Sequence, residues 1–600
     1  MHPMLRRAPT SSGSATKGLR GGAAAFSIEA GVLALILGLL GVLLLLGRNA
    51  STSFEPVEKI SLDLVHLPEY AMLSLGRCFA AFILSLLFTL AFGTLAASSR
   101  RASAVMMPML DILQSIPVLS FLPALVVALV AIVPGTRIGL ELASIIMIFT
   151  GQAWNLTFGY YGALRSVPRS MEEVADLGGY GPVRRFLRFR LPTTVTPLVY
   201  NSMLSFAGGW FFLSVCEAFT LGKEDYQLAG VGSYVALAVA GNQTGAIIAG
   251  LVAMAILVLA TDQLVFRPLV AWSDRFRMES TGSGEQPKSW VYSLLRRSRL
   301  LSTVQRRVHQ RHHRRSERRA GAHRHHHERS RASAHRWRLL GRAFMALLVL
   351  VSVVLAGIGL WMLVNLLLKV GWNPGGDLDH PETIGWVDIF TGFGLSFLRV
   401  LAALLIATLW TVPFGIWVSR SPRRFGRFSP IIQLAASYPA PLVFPVIVVW
   451  LTGYRVPLEV VVVLLLVFGS QWYVLFNVLA GGRSIPTPLE ELARLTGIGP
   501  LKRFRLIHLP VVLPALTTGW ITAAGAAWNA TIVAEFIDLG PDRRPDEVLG
   551  IGSIIARATE EGAYPALAAA TVMMAVGVVV INRLVWNPLE RHARDRFALA

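Results

Sequence analysis

Four residues place charge where it is most expensive. Arg77 and Arg399 lie early, and Glu217 and Glu535 late, in long apolar stretches. A charge at membrane depth is costly and is usually paired or functional. Each has a twin: Arg399 follows Arg77 by 322 residues, and Glu535 follows Glu217 by 318. This chemistry suits ion pairing across spans or a gate more than substrate contact. Catalysis is not expected, because no nucleophile, base and orienting group stand out together. The chain also lacks a Gly-x-x-x-x-Gly-Lys-Ser/Thr phosphate loop. ATP chemistry needs a nucleotide cradle and magnesium ligands, so none is expected within this chain.

A second pattern lies between apolar segments and occurs twice. One copy runs from Glu173 through Ala175, Gly179, Pro182 and Phe186 to Leu191-Pro192. The other runs from Glu491 through Ala493, Gly497, Pro500 and Phe504 to Leu509-Pro510, again 318 residues on. Ser170 with Glu173, and Thr487 with Glu490, have capping-box spacing, and Pro488 suits a first helical turn. Val174 with Leu177, and Leu492 with Leu495, would form one apolar helix face. Gly178, Gly179 and Gly181, and Gly497 and Gly499, allow a sharp turn. A second short basic helix would then return to the membrane. The predicted unit is a helix–turn–helix bracket outside the bilayer, shaped to dock on a soluble partner. An amphipathic interfacial linker explains one such loop, but less well the recurrence of both at one spacing.

The elements that must position these residues follow from composition. Of 600 residues, 54% are hydrophobic and 15% charged, well below the roughly 25% charged of soluble domains. Apolar stretches of bilayer length recur, and their interiors must be helical because lipid cannot satisfy open backbone. The net charge of +21, from 56 Lys and Arg against 35 Asp and Glu, clusters between spans. That distribution fits cytoplasmic retention of basic residues and not nucleic-acid binding. Cys78 and Cys216 are the two cysteines, so neither a disulfide framework nor a cysteine metal site is expected.

Twelve spans are predicted, six per half. The first-half spans lie near 30–47, 71–97, 108–133, 141–162, 195–219 and 245–270. Those of the second half lie near 339–368, 393–418, 430–452, 456–479, 511–537 and 565–585. Arg100, Arg101, Arg420, Arg423, Arg424 and Arg427 and both motif loops then fall on the inner side with the termini. An even count per half makes the repeats parallel. The expected divisions are a tail 1–29, a first domain 30–270 with loop 163–196, a basic His/Arg-rich linker 271–338, a second domain 339–586 with loop 480–513, and a tail 587–600. The linker is read as a solvated, self-repelling tether that touches lipid headgroups at most.

Pathway or gate candidates, besides Glu217 and Glu535, are polar and aromatic groups near broken or Gly-rich spans. They are Gln114, Ser115, Gln152, Trp154 and Asn155, and Gln433, Ser437, Gln471, Trp472 and Asn529. A lone Trp or Gln in a helix is more often packing than a site. Pro117, Pro123, Pro439, Pro441 and Pro445 free backbone groups that need internal partners or a wet cavity. The halves differ in register: Asn529 corresponds to Phe211, and Tyr438 to Ile116.

The motif loops resemble the EAA loop of permease subunits in binding-protein-dependent ABC importers. Glu173, Ala175, Gly179, Phe186, Leu191 and Pro192 match that pattern, as do Glu491, Ala493, Gly497, Phe504, Leu509 and Pro510; Val174 and Leu492 depart from it at the middle of the triplet. The likeness covers about 71–270 and 393–585. The Ser-Ile-Pro117…Leu-Pro123 and Trp528-Asn-Ala-Thr-Ile-Val-Ala-Glu535 stretches resemble the nitrate, sulfonate, taurine and bicarbonate branch. The resemblance implies an all-α polytopic fold of two fused type I importer transmembrane domains in the bacterial inner membrane. It implies two partner ATPase subunits carrying ATP and magnesium, an external solute-binding protein, and a small oxyanion or organic sulfonate as solute. A gradient-driven transporter with two six-span halves shares the parity, although its Gly-x-x-x-Asp-Arg-type loop has no acidic counterpart at 98–102. A non-transporting scaffold or sensor is the third reading.

Overall fold

The computed structural model describes residues 60–132, 138–167, 185–221, 224–276, 357–378, 380–537 and 546–597, with isolated positions between them. The expected span 30–47, most of the linker and the start of 339–368 lie outside the described residues. In the first half, α1 spans Leu67–Ser98, α2 Arg100–Ser115, α3 Leu122–Ile132, α4 Ile138–Arg165, α5 Phe186–Glu217, α6 Val231–Ala240 and α7 Thr244–Phe276. After a short helix α8, Gly357–Leu367, the second half repeats the series. It comprises α9 Trp386–Ser419, α10 Pro422–Ser437, α11 Ala440–Gly453, α12 Leu458–Arg483, α13 Thr487–Leu495, α14 Pro500–Ala534, α15 Ile551–Glu560 and α16 Tyr564–Phe597. Among the described residues, seven helices are long and apolar enough to cross a membrane, and α10 with α11 makes an eighth, bent span. Their outer faces expose residues such as Leu87, Ile256, Leu405 and Leu409, as a lipid solvent requires. Two small antiparallel ribbons, β1 Ala218–Leu221 with β2 Glu224–Gln227 and β3 Phe536–Ile537 with β4 Asp546–Glu547, complete the fold.

Prolines shape the helices in matched ways. The spans expected at 108–133 and 430–452 are not continuous. Each breaks one residue before a proline: Ile116 and Tyr438 are extended, because the proline ring disfavours helical backbone in the residue before it. The second break turns the chain by 84°. Four wide turns, with hydrogen bonds from residue i to i−5, have a common cause. They lie at Phe186–Arg190, Asp262–Phe266, Phe504–His508 and Asn582–Trp586. Each ends two residues before a proline, at Pro192, Pro268, Pro510 and Pro588. Proline has no N–H and its ring crowds the carbonyl four residues back, so the preceding turn widens. The expected separate basic helix after Gly499 is therefore continuous with the span, as the first turns of α14.

Each half is built around one helix. α4 packs between α1 and α5, and α12 between α9 and α14. Trp210 and Trp528 lie buried in the core. The halves exchange their broken helices. α2 and the turn Val118–Phe121 rest on α14 and α16, while α10 and α11 rest on α5, α6 and α7.

Candidate functional site

The twin charges expected to pair do so. Arg77 donates from Nη1 to Glu217 Oε1 at 2.8 Å, and its Nε and Nη2 form a fork on Glu141, both at 2.7 Å. Ser74 Oγ donates to Glu217 Oε1 at 2.6 Å, and Gly232 N to Oε2 at 2.8 Å. The second half repeats this. Arg399 Nη1 meets Glu535 Oε1 at 2.9 Å, and its other two nitrogens fork onto Glu459 at 2.7 and 2.8 Å. Ser396 Oγ and Gly552 N supply 2.6 and 2.8 Å bonds to Glu535. Glu217 and Glu535 are fully buried. A buried carboxylate persists only when a cation and hydrogen bonds replace its water, and here both do.

Each cluster ties together the first part of one long helix (α1 or α9), the first turn of another (α4 or α12), the end of a third (α5 or α14) and the start of a short helix. All of this lies at the end of the bundle away from the motif loop, since α5 and α14 begin at the loops and end at these glutamates. Gly230 and Gly550 lie so close that an added Cβ would overlap the Glu217 and Glu535 carboxylates. Glu141 and Glu459 were not among the sequence candidates. Each reads as an ordinary first-turn acid, and only its duplication at 318 residues marks it.

The motif loop of the second half is described throughout. In α13 Ala493 is buried, while Glu491, Leu492 and Leu495 are exposed, Leu495 at 86%. Gly497 turns the chain with φ +69°, the left-handed conformation glycine adopts without strain. Phe504 is half-buried at the wide turn. In the first half, Ala175, Gly179 and Ser170 lie outside the described residues. Glu173 and Val174 are exposed, Leu177 is 90% exposed, and Phe186 is half-buried. The apolar row Val174–Leu177 thus recurs at Leu492–Leu495. The expected capping box at Thr487 does not form: Pro486 is the N-cap, and Glu490 turns inward to Arg420 and His508. A positive-φ position tolerates a β-branched residue poorly. Gly497→Val should therefore cost about 1–2 kcal/mol locally, seen as faster hydrogen exchange across 487–503 with the spans unchanged.

The described pathway candidates are spread over both halves, and the side chain of Ser115 lies outside the described residues. Gln114 and Asn155 are exposed, and Asn155 donates to Ser205 Oγ at 3.3 Å. Trp154 packs on Phe88 and Phe149, and Trp472 joins a cluster around Val418 and Ile432, each within its own half. Gln152 is buried beside Ser85 and Cys78. Three residues singled out in the sequence make polar contacts across the seam between halves. Gln433 Nε2 approaches Met203 Sδ at 2.8 Å, Asn529 Oδ1 accepts from Leu119 N at 3.3 Å, and Tyr438 Oη donates to Leu251 O at 3.0 Å. Thr571, which sequence reasoning passed over, adds a fourth by donating to Ser120 O at 3.2 Å. Where Leu119 offers an N–H to Asn529, the corresponding pair is Pro441 and Phe211, with neither donor nor acceptor.

Known proteins are similar to parts of this chain in sequence. The chain is 29% identical over 142 residues to the taurine transport system permease protein of Escherichia coli, covering 24% of this chain and 50% of that one. It is 26% identical over 197 residues to the nitrate import permease protein of Leptolyngbya laminosa, covering 33% and 66%. It is 26% identical over 192 residues to the bicarbonate transport system permease protein of Synechococcus elongatus, covering 32% and 65%. The matched region spans about half to two-thirds of these relatives' length. The family model for the binding-protein-dependent transport system inner membrane component matches twice, at residues 89–275 and 411–586. Those two matches cover the bent spans, the motif loops and Glu217 and Glu535, and begin after Arg77 and Arg399. The chain carries this unit twice and belongs to the family of binding-protein-dependent transport system inner membrane components.

Proposed function

We propose that this chain is the membrane-embedded permease of an ATP-driven importer, with each motif loop docking one partner ATPase. ATP and magnesium would be bound by those partners. The observation that carries the reading is the duplicated exposed row, Val174 with Leu177 and Leu492 with Leu495, presented beside Glu173 and Glu491 on loops outside the helical bundle. Exposed apolar side chains rimmed by polar ones are what a partner surface covers. The loops and termini would face the cytoplasm, where the basic residues concentrate. The ion clusters would face the opposite side, where a solute-binding protein would deliver its cargo. The solute class is a small oxyanion or organic sulfonate, supported by similarity to permeases named for taurine, nitrate and bicarbonate. The seam between halves, with Asn529, Gln433 and Tyr438 on it, would be the route.

The test is purification of the tagged chain from native membranes in gentle detergent, with assay of the co-purifying ATPase. Leu177→Asp with Leu495→Asp should weaken association about thirty-fold per site, as expected for loss of an interface anchor of about 2 kcal/mol. Full retention of the ATPase by a well-folded double variant would refute the docking assignment. Uptake that persists without ATP and collapses with the ion gradient would refute the importer.

A further inference from the structure

The inward turn of Glu490 separates two tasks that one helix performs. Its neighbour Glu491 faces solvent with Leu492 and Leu495. Glu490 is only 12% exposed and pairs with Arg420 Nη2 and, at 2.8 Å, with His508 Nε2. The Nη1 of Arg420 lies 2.7 Å from the same ring nitrogen of His508. Arg503 stands 4.0 Å from Glu490 and donates to Ile498 O at 3.0 Å, bracing the turn. The three central residues belong to three elements. Glu490 is on α13, Arg420 caps the C-terminus of α9, and His508 ends the wide turn of α14. A hydrogen-bonded charge cluster shielded from water is stiffer and stronger than an exposed ion pair. Displacement of α13 must therefore pull on α9 and α14 together.

We infer that Glu490, Arg420 and His508 are positioning residues that carry motion of the docking helix into the two spans. This deepens the docking reading and rests on it. It also makes the halves unequal. In register, Ser98 stands where Arg420 stands and Arg190 where His508 stands. The triad is therefore not repeated residue for residue in the first half. The second half has a direct tie from loop to α9, through which its spans respond to what its loop binds.

The experiment uses the whole complex, purified through a tag on this chain and placed in lipid vesicles. Its readout needs no knowledge of the solute. Ser120→Cys with Thr571→Cys places a thiol pair across the seam, where Thr571 Oγ1 and Ser120 O are 3.2 Å apart, and the native Cys78 and Cys216 are buried. Addition of ATP should change the cross-link yield about five-fold, the low end of energetic coupling between two sites. In Glu490→Gln, isosteric but uncharged, the ATPase should stay bound and hydrolyse ATP while the cross-link no longer responds. A charge exchange, Arg420→Glu with Glu490→Arg, should restore much of the response, which a merely destabilised loop would not show. A full response in Glu490→Gln, with the ATPase lost only in Leu177→Asp with Leu495→Asp, would overturn this inference and leave docking intact. Absence of any ATPase from the unsubstituted complex would overturn both.

Discussion

Arg399→Ala is expected to lower the stability of the second half by about 3–5 kcal/mol, because it leaves Glu535 buried without its cation. Ser396 and Gly552 would still donate to that carboxylate, but no positive charge would offset its lost hydration. The fork on Glu459 would vanish as well, freeing the first turn of α12 from α9. Arg77→Ala should act equivalently through Glu217 and Glu141. Thermal unfolding in a mild detergent would read the loss as a large fall in midpoint. Arg399→Met with Glu535→Gln should recover much of it, since removing both charges leaves no buried ion behind. A single variant that loses less than about 1 kcal/mol would show that water reaches Glu535 and that the cluster is not the clasp described here.

Trp528→Ala should be comparably severe. Trp528 is only 2% exposed, and its ring lies nearly parallel to Phe393 and Phe397, at 11° and 13°. Truncating a buried Trp costs about 3–5 kcal/mol. The matched Trp210→Ala should cost less. Among the described residues its aromatic contact is an edge contact with Phe206 at 84°, and Ala71 and Leu75 occupy the positions of Phe393 and Phe397. Each lost aromatic pair is worth about 0.5–1.5 kcal/mol beyond burial, so the two variants should differ by about that much. Equal losses, measured side by side by the same unfolding assay, would contradict the packing difference.

Much of this architecture was legible because duplication supplies its own control. A lone Glu in an apolar run is ambiguous, but Glu217 and Glu535 recur with Arg77 and Arg399, and the pairs meet. The prolines announced that the spans holding Pro117 and Pro439 were irregular. They did not show that these breaks would lie against the opposite half, because that depends on packing between distant segments. Leu191-Pro192 and Leu509-Pro510 were read as boundaries where a helix re-enters the membrane. Their effect on the preceding turn is a matter of the displaced carbonyl, which no residue letter shows. Glu490 was misread for a physical reason. A capping acid and an inward-facing ion-pair acid share the same spacing from a helix start, and the choice was made by Arg420 and His508, 70 and 18 residues away. The exposed apolar row of each motif loop, Val174 with Leu177 and Leu492 with Leu495, followed directly from helical periodicity. The pathway candidates did not, since Trp154, Trp472 and Gln152 are equally compatible with packing.

The seam has a consequence for what can cross it. In an assembly of two identical chains, every group near the twofold axis confronts its own copy, and a polar lining is polar on both sides. Here one crossing carries Asn529 against the Leu119 N–H, and its counterpart carries Phe211 and Pro441. Within one chain the two positions can differ, and here they do. If the seam is the route proposed above, it would have a polar wall and an apolar one, a shape that would orient a lopsided molecule with a charged head and an uncharged tail better than a symmetric ion.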